Sequence, residues 1–105
     1  MTITFNDQAL EELYSKETTE DKKYSRLPKD VIKRYVKTVN YLRAAARIED
    51  LFPIKSLHYE KKQGDLKDFE AVWITDKYRL LFVSSPDENG IIVNALLYEI
   101  SKHYE

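Results

Sequence analysis

The apolar residues of this chain change their spacing at Pro53, which separates a helical part from a strand-forming part. Upstream, apolar side chains recur every three or four residues, as in a helix that packs by one face; they are Ile32, Tyr35, Val36, Val39, Leu42 and Ala46. Pro28 suits the first turn of this helix, and Pro53 lacks the amide hydrogen that a continuing helix needs. We therefore expect a helix from Pro28 to residues 49–52.

A shorter helix is predicted ahead of it, after a first strand. Ile3 and Phe5 alternate with polar residues as in a strand, and Asn6-Asp7 then supplies a helix N-cap. The apolar residues that follow at helical spacing are Ala9, Leu10, Leu13 and Tyr14. Residues 15–25 are polar with little apolar periodicity, which predicts an exposed connection to the next helix.

Downstream of Pro53 the pattern is typical of strands. The long strand-like segments are residues 69–74, 78–83 and 91–97. Short turn-forming stretches at 75–77 and 86–90 separate them, so consecutive strands should pair as antiparallel hairpins. We expect a further strand at 57–59 and a tail or short helix over 99–105.

These elements predict an α+β fold in which two amino-terminal helices pack on one face of a small, mainly antiparallel, twisted sheet. A length of 105 residues suits one compact core, so we expect residues 1–105 to form a single domain. Trp73 alternates with Glu70 and Val72 inside a strand, which predicts a place in that core.

Composition excludes several classes of protein. The chain has no cysteine, which rules out a disulfide framework, a thiolate zinc site and a thiol nucleophile. The first residues lack a basic segment followed by an apolar run, and no stretch approaches the ~20 apolar residues of a membrane span. We expect a cytoplasmic protein that does not enter a membrane.

The net charge of −1 argues against a strongly basic nucleic-acid binder, but the bases are unevenly distributed. Between residues 29 and 47 one acid, Asp30, accompanies six bases, which are Lys29, Lys33, Arg34, Lys37, Arg43 and Arg47. This stripe is either a solvated helix face or a surface for an RNA backbone, and its members Lys33 and Lys37 are candidate RNA contacts.

An ordered set of motifs follows Pro53. It consists of Leu57-His58, a lysine-rich loop around Gly64-Asp65, an aromatic-containing strand at 69–74, and Tyr78-Arg79-Leu80-Leu81-Phe82. In order and spacing the set resembles the HigB-type, or plasmid maintenance killer, toxins of the RelE/ParE superfamily. A helix that opens at Leu27-Pro28 and closes at 49–51 also matches, so the resemblance covers nearly the whole chain.

The resemblance implies the toxin of a type II toxin–antitoxin pair that enters the ribosomal decoding site and cleaves messenger RNA. The ribose 2′-hydroxyl attacks the adjacent phosphate, and neither a metal nor another cofactor is required. The implied partners are the ribosome with its mRNA and a helix-turn-helix antitoxin of the HigA type. The chain would be a monomer or part of a toxin–antitoxin hetero-oligomer.

Arg79 is the strongest catalytic candidate, because a guanidinium among apolar neighbours demands an anionic or carbonyl partner. It either lies open on the sheet and binds RNA phosphate or pairs with a carboxylate such as Glu70. In the first case Arg79→Ala should abolish toxicity with little loss of folding. His58 falls where HigB toxins can carry a histidine, and it either transfers protons or makes an ordinary surface contact.

Two more catalytic candidates end the last strand. Tyr98 matches the terminal tyrosine of the HigB pattern, while Leu97 replaces its acid and Glu99 replaces its histidine. A phenol can position a base and a carboxylate can accept a proton, so the pair either completes a site or anchors the tail. His103 lies close enough in sequence to reach back, or it is a solvated tail residue.

The loop lysines Lys61, Lys62 and Lys67 either hold the RNA backbone by charge or belong to a solvated hairpin loop. Two other functions stay open. One is a ParE-like toxin that binds DNA gyrase without RNA chemistry. The other is a degenerate relative that survives only as a binding partner, a possibility that the missing terminal histidine keeps open.

Overall fold

The computed structural model describes residues 1–102, which form two helices, five strands and three short 3-10 turns. The helices and strands are α1 (Gln8–Lys16), α2 (Lys29–Ala44), β1 (Thr2–Phe5), β2 (Glu60–Lys61), β3 (Glu70–Trp73), β4 (Tyr78–Pro86) and β5 (Ile92–Lys102). The strands form one sheet in the order β1-β5-β4-β3-β2, antiparallel except for the parallel pair β1 and β5. The predicted α+β fold, with two helices on a mainly antiparallel sheet, is confirmed.

The hydrophobic core lies between the helices and one face of the sheet. Its members include Leu10, Leu13, Tyr35, Val39 and Leu42 from the helices and Val72, Leu80, Phe82, Ala95 and Leu97 from the sheet. The hydroxyl of buried Tyr35 donates a 2.8 Å hydrogen bond to the carbonyl of Leu10, so its polar atom is paired inside the core. No helix within residues 1–102 is long and apolar enough to cross a membrane.

Helix α2 ends at Ala44, several residues before the predicted end at 49–52, which is therefore wrong. A separate 3-10 turn, Ile48–Leu51, follows it. Asp50 Oδ2 accepts hydrogen bonds from the amides of Ala46 and Arg47 at 2.9 and 3.3 Å. These bonds cap a new turn after Ala45, whose extended backbone ends α2, and the apolar spacing did not reveal the break.

The connection between α1 and α2 is less exposed than predicted, because Tyr24 and Thr19 within it are buried. The Tyr24 hydroxyl accepts a 3.3 Å hydrogen bond from the amide of Ile100. Strand β1 pairs with Asn94–Leu97 only, so the later part of β5 lacks a strand on that side. The Tyr24 side chain satisfies one amide there, as a buried backbone donor requires.

Strand β5 continues to Lys102, so the tail or helix predicted from Glu99 is wrong for residues 99–102. These four residues pair with Tyr78–Leu81 of β4, which supplies the hydrogen-bond partners that keep them extended. A register shift between Leu81 and Phe82 inserts Tyr98 as an extra residue in β5. Residues 103–105, including the candidate His103, lie outside the described part of the chain.

The strand predicted at 57–59 is also wrong. Lys55–Leu57 forms a 3-10 turn, and His58 follows it with φ of 45° and ψ of 48°, in the left-handed region. Left-handed residues end turns, and histidine tolerates this conformation better than most non-glycine residues. Strand β2 then begins at Glu60 and pairs with β3.

Candidate active site

Arg79 lies on the face of the sheet opposite the helices, which we call the outer face. Its neighbours in β4, Leu80 among them, point into the core, and side chains alternate along a strand. Register then places Trp73 directly across from Arg79 and Ala71 across from Leu81. Ala71 and Leu81 are buried without belonging to the core cluster. The outer face therefore carries a small set of buried apolar residues that is separate from the hydrophobic core.

The Arg79 side chain is largely covered rather than open, because the residue as a whole is 7% exposed. Nη1 donates to the carbonyls of Thr75, Asp76 and Tyr78 at 2.8, 2.9 and 3.3 Å. The expectation of a fully open guanidinium is wrong, because the residue is buried and Nη1 is bonded to carbonyls at the turn between β3 and β4. Arg79 thus organises that turn.

Glu70 is not the partner of Arg79, so the predicted alternative of a Glu70–Arg79 pair is also wrong. Its Oε1 accepts a 2.6 Å hydrogen bond from the Tyr59 hydroxyl, and its Oε2 accepts one of 2.8 Å from the amide of Ser84. Glu70 alternates with outer-face residues in β3, which points it to the other side of the sheet from Arg79.

Two nitrogens of the Arg79 guanidinium have no hydrogen-bond partner among residues 1–102. They are Nε and Nη2, and no fully buried side-chain nitrogen in that part of the chain lacks a partner. Nε and Nη2 are therefore not completely buried. Burial lowers the pKa of Arg79, whereas the negative charges of Glu60 and Asp76 act to raise it. An unpaired guanidinium edge is suited to a phosphate.

Trp73 lies between Arg79 and His58. The Cζ of Arg79 is 4.1 Å from the Trp73 ring centroid, and the His58 ring stacks on Trp73 at 3.6 Å with an interplanar angle of 16°. Arg79 comes from β4 and His58 from the segment before β2, the strands on either side of β3. Trp73 is half-buried and outside the core cluster, so its predicted core position is wrong.

Tyr98 and Glu99 are held by other residues. The Tyr98 ring packs on Phe69 with 4.8 Å between centroids, and Glu99 Oε1 lies 3.3 Å from Lys23 Nζ. Within residues 1–102 no hydrogen bond, ion pair or ring contact links either residue to Arg79 or His58. Of the four catalytic candidates, the structure brings Arg79 and His58 together around Trp73.

Solved toxin structures share this architecture. A YoeB/ParE toxin from Agrobacterium tumefaciens superposes with a TM-score of 0.55 and 16% identity, over 99% of this chain and 100% of that chain. The chain has the fold of the YoeB and ParE toxins. Two structures of YoeB–YefM from Staphylococcus aureus, one a heterotetrameric toxin–antitoxin complex, each contain a chain that matches with a TM-score of 0.55 and 21% identity. The match covers 99% of this chain and 98% of that chain. No protein-family model and no curated protein sequence matches the chain.

On this YoeB/ParE fold the candidate lysines occupy three places. Lys62 Nζ lies 2.7 Å from Glu60 Oε1 at the β2 edge of the sheet. Lys61 and Lys67 line a cavity of about 310 Å³ on the other side of the sheet, beside Tyr59 and Glu70. Lys33 and Lys37 are exposed along α2 and line different cavities.

Sequence reasoning missed two residues of the site, Trp73 and Glu60. Glu60 pairs with Ala71, which places it on the outer face, and its charge acts on Arg79. Glu60 belongs to the motif stretch after Leu57, yet a strand of two residues is too short for the sequence to show which face of the sheet each side chain occupies. For Trp73 the available signal was its position opposite Arg79 in the predicted hairpin, which would have placed both on one face.

Proposed function

We propose that this chain is the toxin of a type II toxin–antitoxin pair, a HigB-type member of the RelE/ParE superfamily and a metal-independent endoribonuclease that cuts mRNA on the ribosome. The observation that carries the proposal is the placement of Arg79 and His58 on the two sides of Trp73. The toxin fold and the ordered motifs support it.

In the proposed reaction the imidazole of His58 accepts the proton of a ribose 2′-hydroxyl. The 2′-oxygen bonds to the adjacent phosphorus, and the bond from phosphorus to the 5′-oxygen of the next nucleotide breaks. The products are a 2′,3′-cyclic phosphate and a 5′-hydroxyl, which takes up a proton. Nε and Nη2 of Arg79 stabilise the charge that builds up on the phosphoryl oxygens. The ribosome aligns the RNA, so few protein groups are needed.

Tyr98 and Glu99 serve this reaction from the neighbouring strand in our proposal. Ser101 pairs with Arg79 and Glu99 pairs with Leu81, so Glu99 is diagonal to Arg79 on the outer face. The Tyr98 hydroxyl makes no hydrogen bond within residues 1–102, and the residue is 38% exposed. We assign Tyr98 to proton donation or base positioning, and Glu99 to a role that requires release from Lys23.

The lysines would hold the RNA backbone beyond this centre, where the RNA strand passes the β2 edge to the other side of the sheet, on which Lys61 and Lys67 lie. Lys61, Lys62 and Lys67 lie at or near the β2 edge, and Lys33 and Lys37 extend the positive charge along α2. Lysine contacts with phosphates release counterions, so binding should weaken steeply as salt rises.

The proposed partner in the resting state is an antitoxin in a cytoplasmic toxin–antitoxin hetero-oligomer. The structural neighbours from Staphylococcus aureus are YoeB–YefM toxin–antitoxin complexes. For this chain the motif resemblance favours a helix-turn-helix antitoxin of the HigA type. An adjacent reading frame that encodes such a protein would support the assignment.

The test is brief expression in bacteria followed by mapping of new RNA 5′ ends, for the native chain and for His58→Asn. Asparagine tolerates the left-handed backbone at this position but cannot exchange a proton near neutral pH. We expect in-frame cuts in translated messages from the native chain and at least a ~100-fold loss with His58→Asn, the scale of one general base. Lys55→Gln changes the same turn and is the matched control.

Cuts that persist at full rate in His58→Asn would remove His58 from the mechanism. Intact messages accompanied by DNA-damage signalling would replace the nuclease proposal with the gyrase-binding one. Intact messages without growth arrest would instead identify a degenerate relative.

A further inference from the structure

A cleft of about 210 Å³ opens between α2 and the end of β3. It is lined by Arg34, Lys37, Thr38, Tyr41, Ser56, Leu57, Trp73 and Ile74. Trp73 is shared by this cleft and the candidate active site. Whatever occupies the cleft therefore lies next to the His58–Trp73–Arg79 group.

The cleft combines positive charge with an aromatic surface. Arg34 and Lys37 are exposed and one helical turn apart, and the Tyr41 ring is 37% exposed with Lys37 Nζ 6.0 Å from its centroid. None of the lining side chains contributed by residues 1–102 is acidic. The hydroxyl of Thr38 already donates a 2.8 Å hydrogen bond to the carbonyl of Arg34. Ser56 provides another hydroxyl in the lining of the cleft.

Two cations beside an exposed aromatic ring fit a ligand with both an anionic and a flat aromatic part. A simple anion would not stack on the Tyr41 ring, and an uncharged aromatic ligand would not pair with the charges of Arg34 and Lys37. A nucleotide has both parts, because its base stacks on an aromatic side chain and its phosphate accepts from lysine and arginine.

We propose that this cleft is a binding site for one ribonucleotide, with the base against Tyr41 and the phosphate held by Arg34 and Lys37. In an RNA strand it would take the nucleotide next to the one at His58 and Arg79, and this last step rests on the proposed function. Nucleotide binding itself does not depend on cleavage.

Trp73 is the single tryptophan of the chain and lines the cleft, so its fluorescence reports on the site. The experiment titrates the purified chain with AMP, GMP, CMP and UMP. We expect a saturable change that weakens with added salt. Arg34→Gln and Lys37→Gln should each weaken binding about fivefold, the upper range for an exposed charge pair.

Lys29→Gln is the matched control. Lys29 is an exposed cation on the same helix but lines a different cavity, with Glu17, Ile32 and Lys33. Its removal should change binding by less than about twofold. Tyr41→Ala should weaken binding, whereas Tyr41→Phe should keep it, because the ring and not the hydroxyl contacts the base.

Three outcomes would overturn the proposal. One is the absence of a saturable change with all four nucleotides. Another is an equal change with inorganic phosphate alone, which would indicate a general anion site. The third is a change that survives the Arg34, Lys37 and Tyr41 substitutions but disappears in His58→Asn, which would place the nucleotide at the candidate active site. RNA cleavage is measured separately, so either proposal can fail while the other stands.

Discussion

The hydroxyl of Tyr59 donates a 2.6 Å hydrogen bond to Oε1 of Glu70, a residue that is only 7% exposed. The amide of Ser84 satisfies the other carboxylate oxygen at 2.8 Å. Burial, followed by the bond to Glu70, raises the pKa of Tyr59. Because Tyr59 follows His58 directly, this buried pair anchors the segment that carries His58 to strands β3 and β4.

Removing the phenol hydroxyl should destabilise the chain through this pair. Tyr59→Phe leaves Glu70 Oε1 without its donor, and a buried acceptor that loses its partner costs about 1–3 kcal/mol. Urea unfolding of the variant and the native chain measures the difference. Tyr98→Phe, on an exposed ring, is the control and should stay within about 0.5 kcal/mol. Equal stability of the Tyr59→Phe and native chains would show that the pair contributes nothing.

Arg79→Ala should lower stability as well as activity. The substitution removes the three bonds from Nη1 to turn carbonyls and the contact with Trp73. A hydrogen bond from a charged group contributes about 1.5–3 kcal/mol, so we expect at least that loss in urea unfolding. The enclosed geometry argues against the small folding cost expected from sequence. Arg79→Lys keeps the positive charge but loses the forked donor geometry of the guanidinium. Compared with Arg79→Ala, it should recover part of the stability and little of the RNA cleavage.

Stability should fall steeply in alkaline solution. Burial raises the pKa of Tyr24, Tyr35 and Tyr59 above the value near ~10 that tyrosine has in an unfolded chain. A raised folded pKa means that the stabilisation is fully present below pH ~10 and is lost as the pH rises above it. Each such tyrosine adds about 1.4 kcal/mol per pH unit to the decline.

Urea unfolding between neutral pH and pH ~11 checks this decline. Tyr35→Phe should be less stable at neutral pH, because the hydrogen bond to the Leu10 carbonyl is gone. Its stability should nevertheless fall less steeply with alkaline pH, because the contribution of one tyrosine to that decline is removed. Val36→Ala also weakens the helix packing without removing a titratable group, and it should keep the native slope. Identical slopes in Tyr35→Phe and Val36→Ala would refute the assignment to Tyr35.

Tyr98→Phe should reduce RNA cleavage without affecting folding. The ring contact with Phe69 survives the change, and the hydroxyl has no partner within residues 1–102. If that hydroxyl takes part in proton transfer, cleavage should fall by roughly 100-fold or more. The check compares 5′-end yields of Tyr98→Phe and Tyr98→Ala. Full activity in Tyr98→Phe with loss in Tyr98→Ala would assign Tyr98 to stacking alone.

Much of the architecture follows from patterns that the sequence displays directly. The helical spacing around Tyr35 predicts which face of α2 is apolar, and the continuous apolar run around Phe82 predicts a strand within the sheet. Burial of apolar surface then packs these elements together. The turns at 75–77 and 86–90 impose the antiparallel hairpins. Helix ends, the bulge at Tyr98 and the turn before His58 depend on single hydrogen bonds and register, which periodicity does not encode.

The sequence by itself determined the fold class and marked Arg79 and His58 as candidate site residues. Tertiary structure alone decided their surroundings: carbonyls around Nη1 of Arg79, Trp73 between the guanidinium and the imidazole, and Tyr98 against Phe69. The physical reason is that apolar burial is nondirectional and can be read from local spacing. A site depends instead on which distant side chains strand pairing brings within a few ångströms of one another.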